Sequence, residues 1–71
     1  MGINGGVFYS EAADKARVPF EVIVKMVWRG ELKLMPEKFY SQNKGRWYAL
    51  IDPLDLWCAM NDGRVDKYRK E

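Results

Sequence analysis

The chain has 71 residues, a net charge of +2, 48% hydrophobic and 14% aromatic content, one cysteine and no histidine. A domain of this size buries about 60% of the surface its unfolded chain exposes and is stable by a few kcal/mol at most. Cys58 alone excludes an intrachain disulfide, and one Cys without His leaves a zinc site short of ligands.

Residues 1–6, MGINGG, are Gly-rich and predict a flexible N-terminus. They lack the charged and apolar regions of a signal peptide, and Gly6 stands where a myristoylation motif places Ser or Thr. Residues 7–9, VFY, suit one short strand. Ser10 is a good N-cap, and the helix formers of EAADKA predict a short first helix over residues 11–16.

Residues 17–19, RVP, break that helix, because Pro19 restricts Val18 to extended conformations and suits the first turn of a new helix. The next run, FEVIVKMVWR over residues 20–29, places Val22, Ile23, Met26 and Val27 on one helical stripe. Its β-branched content also fits a strand, but Gly30 after a basic last turn is a helix stop. Two short helices joined by a tight break form a helix-turn-helix pattern.

Leu32 and Leu34 then alternate with Glu31 and Lys33 until Met35 and Pro36 end the run. Residues 39–40 and 47–51 read as two strands around the tip SQNKG, in which Asn43 and Gly45 both tolerate positive φ. In this reading Trp47, Ala49 and Ile51 face the core, so that Trp47, like Trp57 of the last helix, is read as a core residue rather than a stacking platform. Asp52 caps the last helix, Pro53 takes its first position and Asp55 lies in its first turn. Leu54, Trp57 and Cys58 are expected to face inward, and NDG at 61–63 stops the helix. Residues 64–71 form a basic tail, expected to be exposed and partly disordered, or helical when bound. The fold class expected is therefore α+β, a small winged helix-turn-helix domain over residues 7–63.

The segment YSEAADKARVPFEVIVKMVWRGEL resembles the helix-turn-helix of excisionase-like, MerR-related winged-helix domains. Glu11, Ala12, Ala13, Val18, Ile23, Lys25, Gly30, Glu31 and Leu32 fill the places of that pattern. GRWYALIDPLDLW resembles the second wing strand and following helix of the same domains. The resemblance covers residues 8–58 and extends most closely to the Cox class of temperate-phage excisionases. The start of the recognition helix, where the family commonly has Ser, Thr or Arg, holds Phe20, Glu21 and Val22 here. The resemblance implies binding to repeated sites on double-stranded DNA as a homo-oligomer, DNA bending, partnership with a tyrosine integrase, and repression of overlapping promoters. Independently of the resemblance, no apolar stretch approaches a membrane span and the chain suits a reducing cytoplasm, here that of a bacterial host. Cys58 has no His partner, capping explains Asp52 and Asp55, and no cofactor or catalysis is expected.

Charge distribution bears on the same expectation. Residues 15–46 carry eight Lys and Arg against three Glu, a local charge of +5, while residues 52–62 carry three Asp and no cation. This asymmetry fits one side facing a polyanion, although solvated charge gives the same counts. Lys25 would contact guanine or phosphate in the major groove, or is a solvated helix lysine. Glu21 would accept from cytosine N4, or simply favours the helix N-terminus. Phe20, Val24 and Arg29 complete the outward face of the same helix. Arg17 in the turn and Ser10 at the first helix suit phosphate contacts. Gln42, Asn43, Lys44 and Arg46 at the hairpin tip suit a minor groove or its flanking phosphates, or merely keep the turn soluble. Phe20 and Trp28 either pack under the wing or stay exposed for self-association. Cys58 is expected to be a small buried hydrophobe, and without His it has no activating base. Two other readings remain: a phage-type regulator with no recombination role, and a protein-interaction adaptor using Phe20, Val24 and Trp28.

Overall fold

Three small residues on one helix face, Ala12, Ala13 and Ala16, let a second helix approach closely, and the domain is built on that approach. All three alanines are buried, as are Ile23 and Met26 of the facing helix. The computed structural model describes residues 5–69. The order is α1 (Tyr9–Ala16), α2 (Phe20–Trp28), β1 (Phe39–Ser41), β2 (Arg46–Tyr48) and α3 (Pro53–Asn61), followed by a 3₁₀ turn at Asp66–Tyr68. This is a small α+β domain with three helices and a two-stranded antiparallel hairpin, compatible with a winged helix-turn-helix arrangement. No helix among the described residues is long and apolar enough to cross a membrane.

The turn between α1 and α2 is tight because Arg17 adopts the left-handed conformation, with φ 60° and ψ 45°. Its geometry lets Val18 N–H bond back to Ala13 O at 3.1 Å, which satisfies a carbonyl at the end of α1 and buries the Val18 side chain. α1 begins earlier than expected. Phe8 is the capping residue and Ser10 lies inside the first turn, with no side-chain cap bond.

The expected strand at residues 7–9 is reduced to one bridge at Val7. Ile51 lies between two antiparallel bridges, to Val7 and to Leu34. Val7 and Ile51 exchange N–H···O bonds of 2.9 and 2.8 Å, and Met35 N–H donates to Leu50 O at 2.7 Å. Gly6 lies under this layer rather than in a flexible terminus: a Cβ there would stand 2.6 Å from Leu50 Cβ. Residues 1–4 of that expected terminus lie outside the described residues.

Two inward faces differ from those expected. Trp47 is 63% exposed and Trp57 62% exposed. In the hairpin, Phe39 pairs with Tyr48, and both rings pack edge-on against Phe8. That parity sends Tyr40 and Trp47 outward. The strand ends at Tyr48, so the alternation does not carry from Trp47 to Ile51, and Leu50 and Ile51 are both buried. In α3, Leu56 and Ala59 face the core while Leu54, Trp57 and Cys58 face solvent. Asp52 caps α3 as expected, accepting from Leu54 N–H at 3.0 Å. Asp55 lies in the first turn as expected, where it accepts from Lys33 N–H at 2.9 Å and pairs with Arg64 at 3.4 Å, which fixes the rotation of the helix.

Residues 64–69 are also not an exposed tail. Val65 is fully buried, and Arg64 Nη1 donates to Glu31 O at 2.8 Å. Arg69 donates twice to Ala16 O, at 3.1 and 3.0 Å. The segment thus satisfies a carbonyl at the end of α1 and another just beyond α2, clasping the helix pair from behind.

Candidate nucleic-acid interface

α2 buries Ile23 and Met26, half-buries Val22 and Val27, and leaves Phe20, Glu21, Lys25, Trp28 and Arg29 exposed, with Val24 half-buried. The exposed residues form a continuous outer face at helical spacing. Phe20 adjoins the hairpin, and Val24 lies one turn further along the same side. Glu21 and Lys25, one turn apart, occupy the middle of the face beside Trp28, which is 85% exposed. Arg29 is half a turn out of phase with Phe20 and so lies on the side away from the hairpin. Its Nη1 donates to Tyr68 Oη at 3.0 Å, which draws it toward the C-terminal segment.

The hairpin tip is held locally. Gly45 N–H donates to Ser41 O at 2.7 Å and Lys44 N–H donates to Ser41 Oγ at 3.2 Å. Gly45 has φ +67°, the left-handed conformation this turn requires. With its backbone so fixed, the tip presents Gln42, Asn43 and Lys44 to solvent. Arg46 lies over the Tyr48 ring, 5.4 Å from its centroid, and its Nε donates to Tyr48 Oη at 3.3 Å. Among the described residues, Lys38, Lys44 and Arg46 make no ion pair.

Two adjoining grooves run between the helices and the hairpin. One, of about 280 Å³, is lined by Phe8, Ser10, Ser41, Lys44 and Tyr48. The other, of about 290 Å³, is lined by Tyr9, Ser10, Phe20, Trp47 and Tyr48 among others, and is mostly apolar. Tyr9 and Phe20 are in ring contact, with centroids 6.2 Å apart. Burial pushes the Tyr9 hydroxyl above its ordinary pKa.

These grooves bring together Ser10 from α1, Phe20 from α2 and Lys44 from the hairpin tip. Glu21, Val24 and Lys25 continue from Phe20 along α2. Arg17, at the far end of α1, is exposed in the turn, and Arg29 is turned away toward Tyr68. The aromatic residues Tyr9, Tyr40, Trp47 and Tyr48 of this region were not expected at the site. A signal for two of them exists in the sequence. Phe39-Tyr40 opposite Trp47-Tyr48 supplies two cross-strand aromatic pairs, and a hairpin has only one inward face, so one pair has to be outward. Among the described residues, no cluster of His, Cys, Asp and Glu has the arrangement needed to hold a metal ion. Comparison with family models, with curated proteins and with solved structures found no match for this chain.

Proposed function

We propose that this chain is a sequence-specific binder of double-stranded DNA that acts as an excisionase. The observation that supports this most directly is the convergence of Ser10, Phe20 and Lys44 on two adjoining grooves, which puts the starts of α1 and α2 and the hairpin tip on one face. In this reading α2 enters the major groove, with Lys25 and Glu21 facing base edges. Lys44 and Arg46 follow the adjacent minor groove, where a narrow groove strengthens the attraction for Arg. Ser10 and Arg17 contact phosphates and fix register without reading sequence.

One domain of this size makes few contacts, so useful affinity comes from several copies on repeated sites. Copies side by side bend the duplex in one sense, and the bent DNA directs a tyrosine integrase toward excision while repressing overlapping promoters. Footprinting on DNA flanking the protein's own coding sequence, followed by an excision assay with a neighbouring integrase, tests this. A repeated footprint with no effect on excision leaves a transcriptional regulator, and no footprint at any salt concentration overturns DNA binding altogether. The strong exposure of Trp28 and Phe20 on α2 favours a second reading, an adaptor that binds another protein through this helix. In that case substitution of Lys25, Lys44 and Arg46 by Ala leaves function intact.

A further inference from the structure

Lys44 and Arg46 give the face its charge, but the groove between α2 and the hairpin is not built for phosphate. Its walls are rings. Phe20 and Trp47 line it together, Tyr9 lies tilted against Phe20, and Tyr40 lies edge-on to Trp47 with centroids 5.2 Å apart. Trp47 also borders a second hollow on the outer side of the hairpin, with Pro36 and Lys38. The result is a track of exposed rings from the hairpin's outer face to the start of α2. Between residues 32 and 51 the chain has four cations and one acid, so the track lies in a positive field.

An intact duplex presents phosphates and sugars to such a surface and keeps its base faces stacked inside. An unpaired strand offers base faces to rings without the cost of unstacking a duplex while its backbone follows nearby cations, and rings interleaved with Lys and Arg are the chemistry such strands need. We infer that the track bordered by Tyr40, Trp47 and Phe20 binds unpaired nucleotides, with bases stacking on Trp47 and Phe20 and the backbone following Lys38 and Lys44. The inference rests on the reading of this face as nucleic-acid-binding, and not on recognition of a particular duplex sequence.

The test uses the full chain and fluorescence anisotropy with labelled oligothymidylate and oligouridylate of about ten nucleotides, a length within the usual site size of single-strand binders. A duplex carrying the footprinted sequence, or random duplex if none is found, is titrated in parallel. Trp47→Ile gives Tyr40 a β-branched cross-strand partner but removes the ring face, and Phe20→Leu keeps an apolar side chain at the start of α2 while removing its ring. Each is expected to weaken oligonucleotide binding about 5- to 100-fold, and Trp47→Ile to change duplex affinity by less than about threefold. Lys25→Ala is expected to do the reverse. Binding of either the deoxy or the ribo strand supports the inference, and the ratio shows which sugar is preferred. Failure of the wild-type chain to bind either strand at low salt overturns it, as does unchanged oligonucleotide affinity in both ring variants. If Trp47→Ile instead alters only the sedimentation of the free protein, the track is a self-association surface and the inference fails. Loss of duplex binding alone, with strand binding retained, counts against the proposed function and leaves this inference standing.

Discussion

The hydroxyl of Tyr68 donates to Glu31 Oε1 at 2.7 Å and accepts from Arg29 Nη1 at 3.0 Å, so one side chain of the C-terminal segment links the end of α2 to the turn that follows it. Lys67 pairs with the other oxygen of Glu31 at 3.0 Å. Behind them Val65 is fully buried in the common core. The C-terminal segment is therefore part of the folded domain, and its removal acts on the helix pair.

Val65→Ala is expected to cost about 1–2.5 kcal/mol, from lost transfer energy and the cavity left behind. That is a large share of the stability available to a domain of this size. Truncation after Gly63 is expected to abolish cooperative unfolding. Urea titration followed by circular dichroism measures both, and a truncated chain that unfolds like the full chain would show the clasp to be dispensable.

The same segment makes stability depend on acid. Bonds from the Tyr68 hydroxyl and from Lys67 hold the Glu31 carboxyl below its ordinary pKa. Asp62 is lowered by the Arg64 guanidinium and by Arg64 N–H. Both groups bind protons more weakly folded than unfolded, so stability rises with pH across their titration. The contribution is complete above the ordinary carboxylate range and is lost as the pH falls through the lowered folded values. The urea midpoint is expected to be level near neutrality and to fall below about pH 5. Glu31→Gln is expected to lower the neutral plateau and flatten the fall.

Arg17 holds a conformation that costs an L-residue about 1 kcal/mol and costs glycine almost nothing. Arg17→Gly is therefore expected to leave stability unchanged or raise it by up to about 1 kcal/mol. If Arg17 contacts a phosphate, the same change weakens DNA binding. A more stable protein with unchanged affinity in gel shifts would remove Arg17 from the interface.

Affinity for duplex DNA is expected to fall steeply as salt rises, because each neutralised phosphate releases counterions. Lys25→Ala, Lys44→Ala and Arg46→Ala should each reduce the slope of log affinity against log salt by about 0.9 if that side chain meets a phosphate. Lys25→Ala should also change sequence preference if it reads a base. Gel shifts over a range of salt concentrations give both readouts.

The rotation of α3 gives a contrast within one helix. Leu56→Ala is expected to cost about 2–5 kcal/mol, whereas Trp57→Ala should cost under about 1 kcal/mol despite removing a larger side chain. Thermal unfolding of the two variants decides which stripe is the core.

Much of the local structure was legible because single residues dictate it. Pro19 and Pro53 mark helix starts, Asp52 caps α3, Gly30 ends α2 and Gly45 closes the hairpin, all through backbone sterics or one short-range bond. The inward stripe of α2 was legible too, because its polar residues fall on one side. The hairpin and α3 were not, because each carries apolar residues on both faces. Phe39 with Tyr48 and Tyr40 with Trp47 are equivalent in the sequence. So are Leu56 with Ala59 and Leu54 with Trp57.

In each case a partner distant in the chain made the choice. Phe8 packs on Phe39 and Tyr48, and Lys33 and Arg64 hold Asp55. The clasp of residues 64–69 depends likewise on Ala16 and Glu31, far back along the chain. The sequence by itself determined the element ends marked by Pro19, Gly30, Gly45 and the Asp52-Pro53 pair, since those signals act over a few residues. Which face each element buries, and hence the ring-lined groove between α2 and the hairpin, was decided only by tertiary packing, because hydrophobic burial is non-directional and two apolar faces compete for one core.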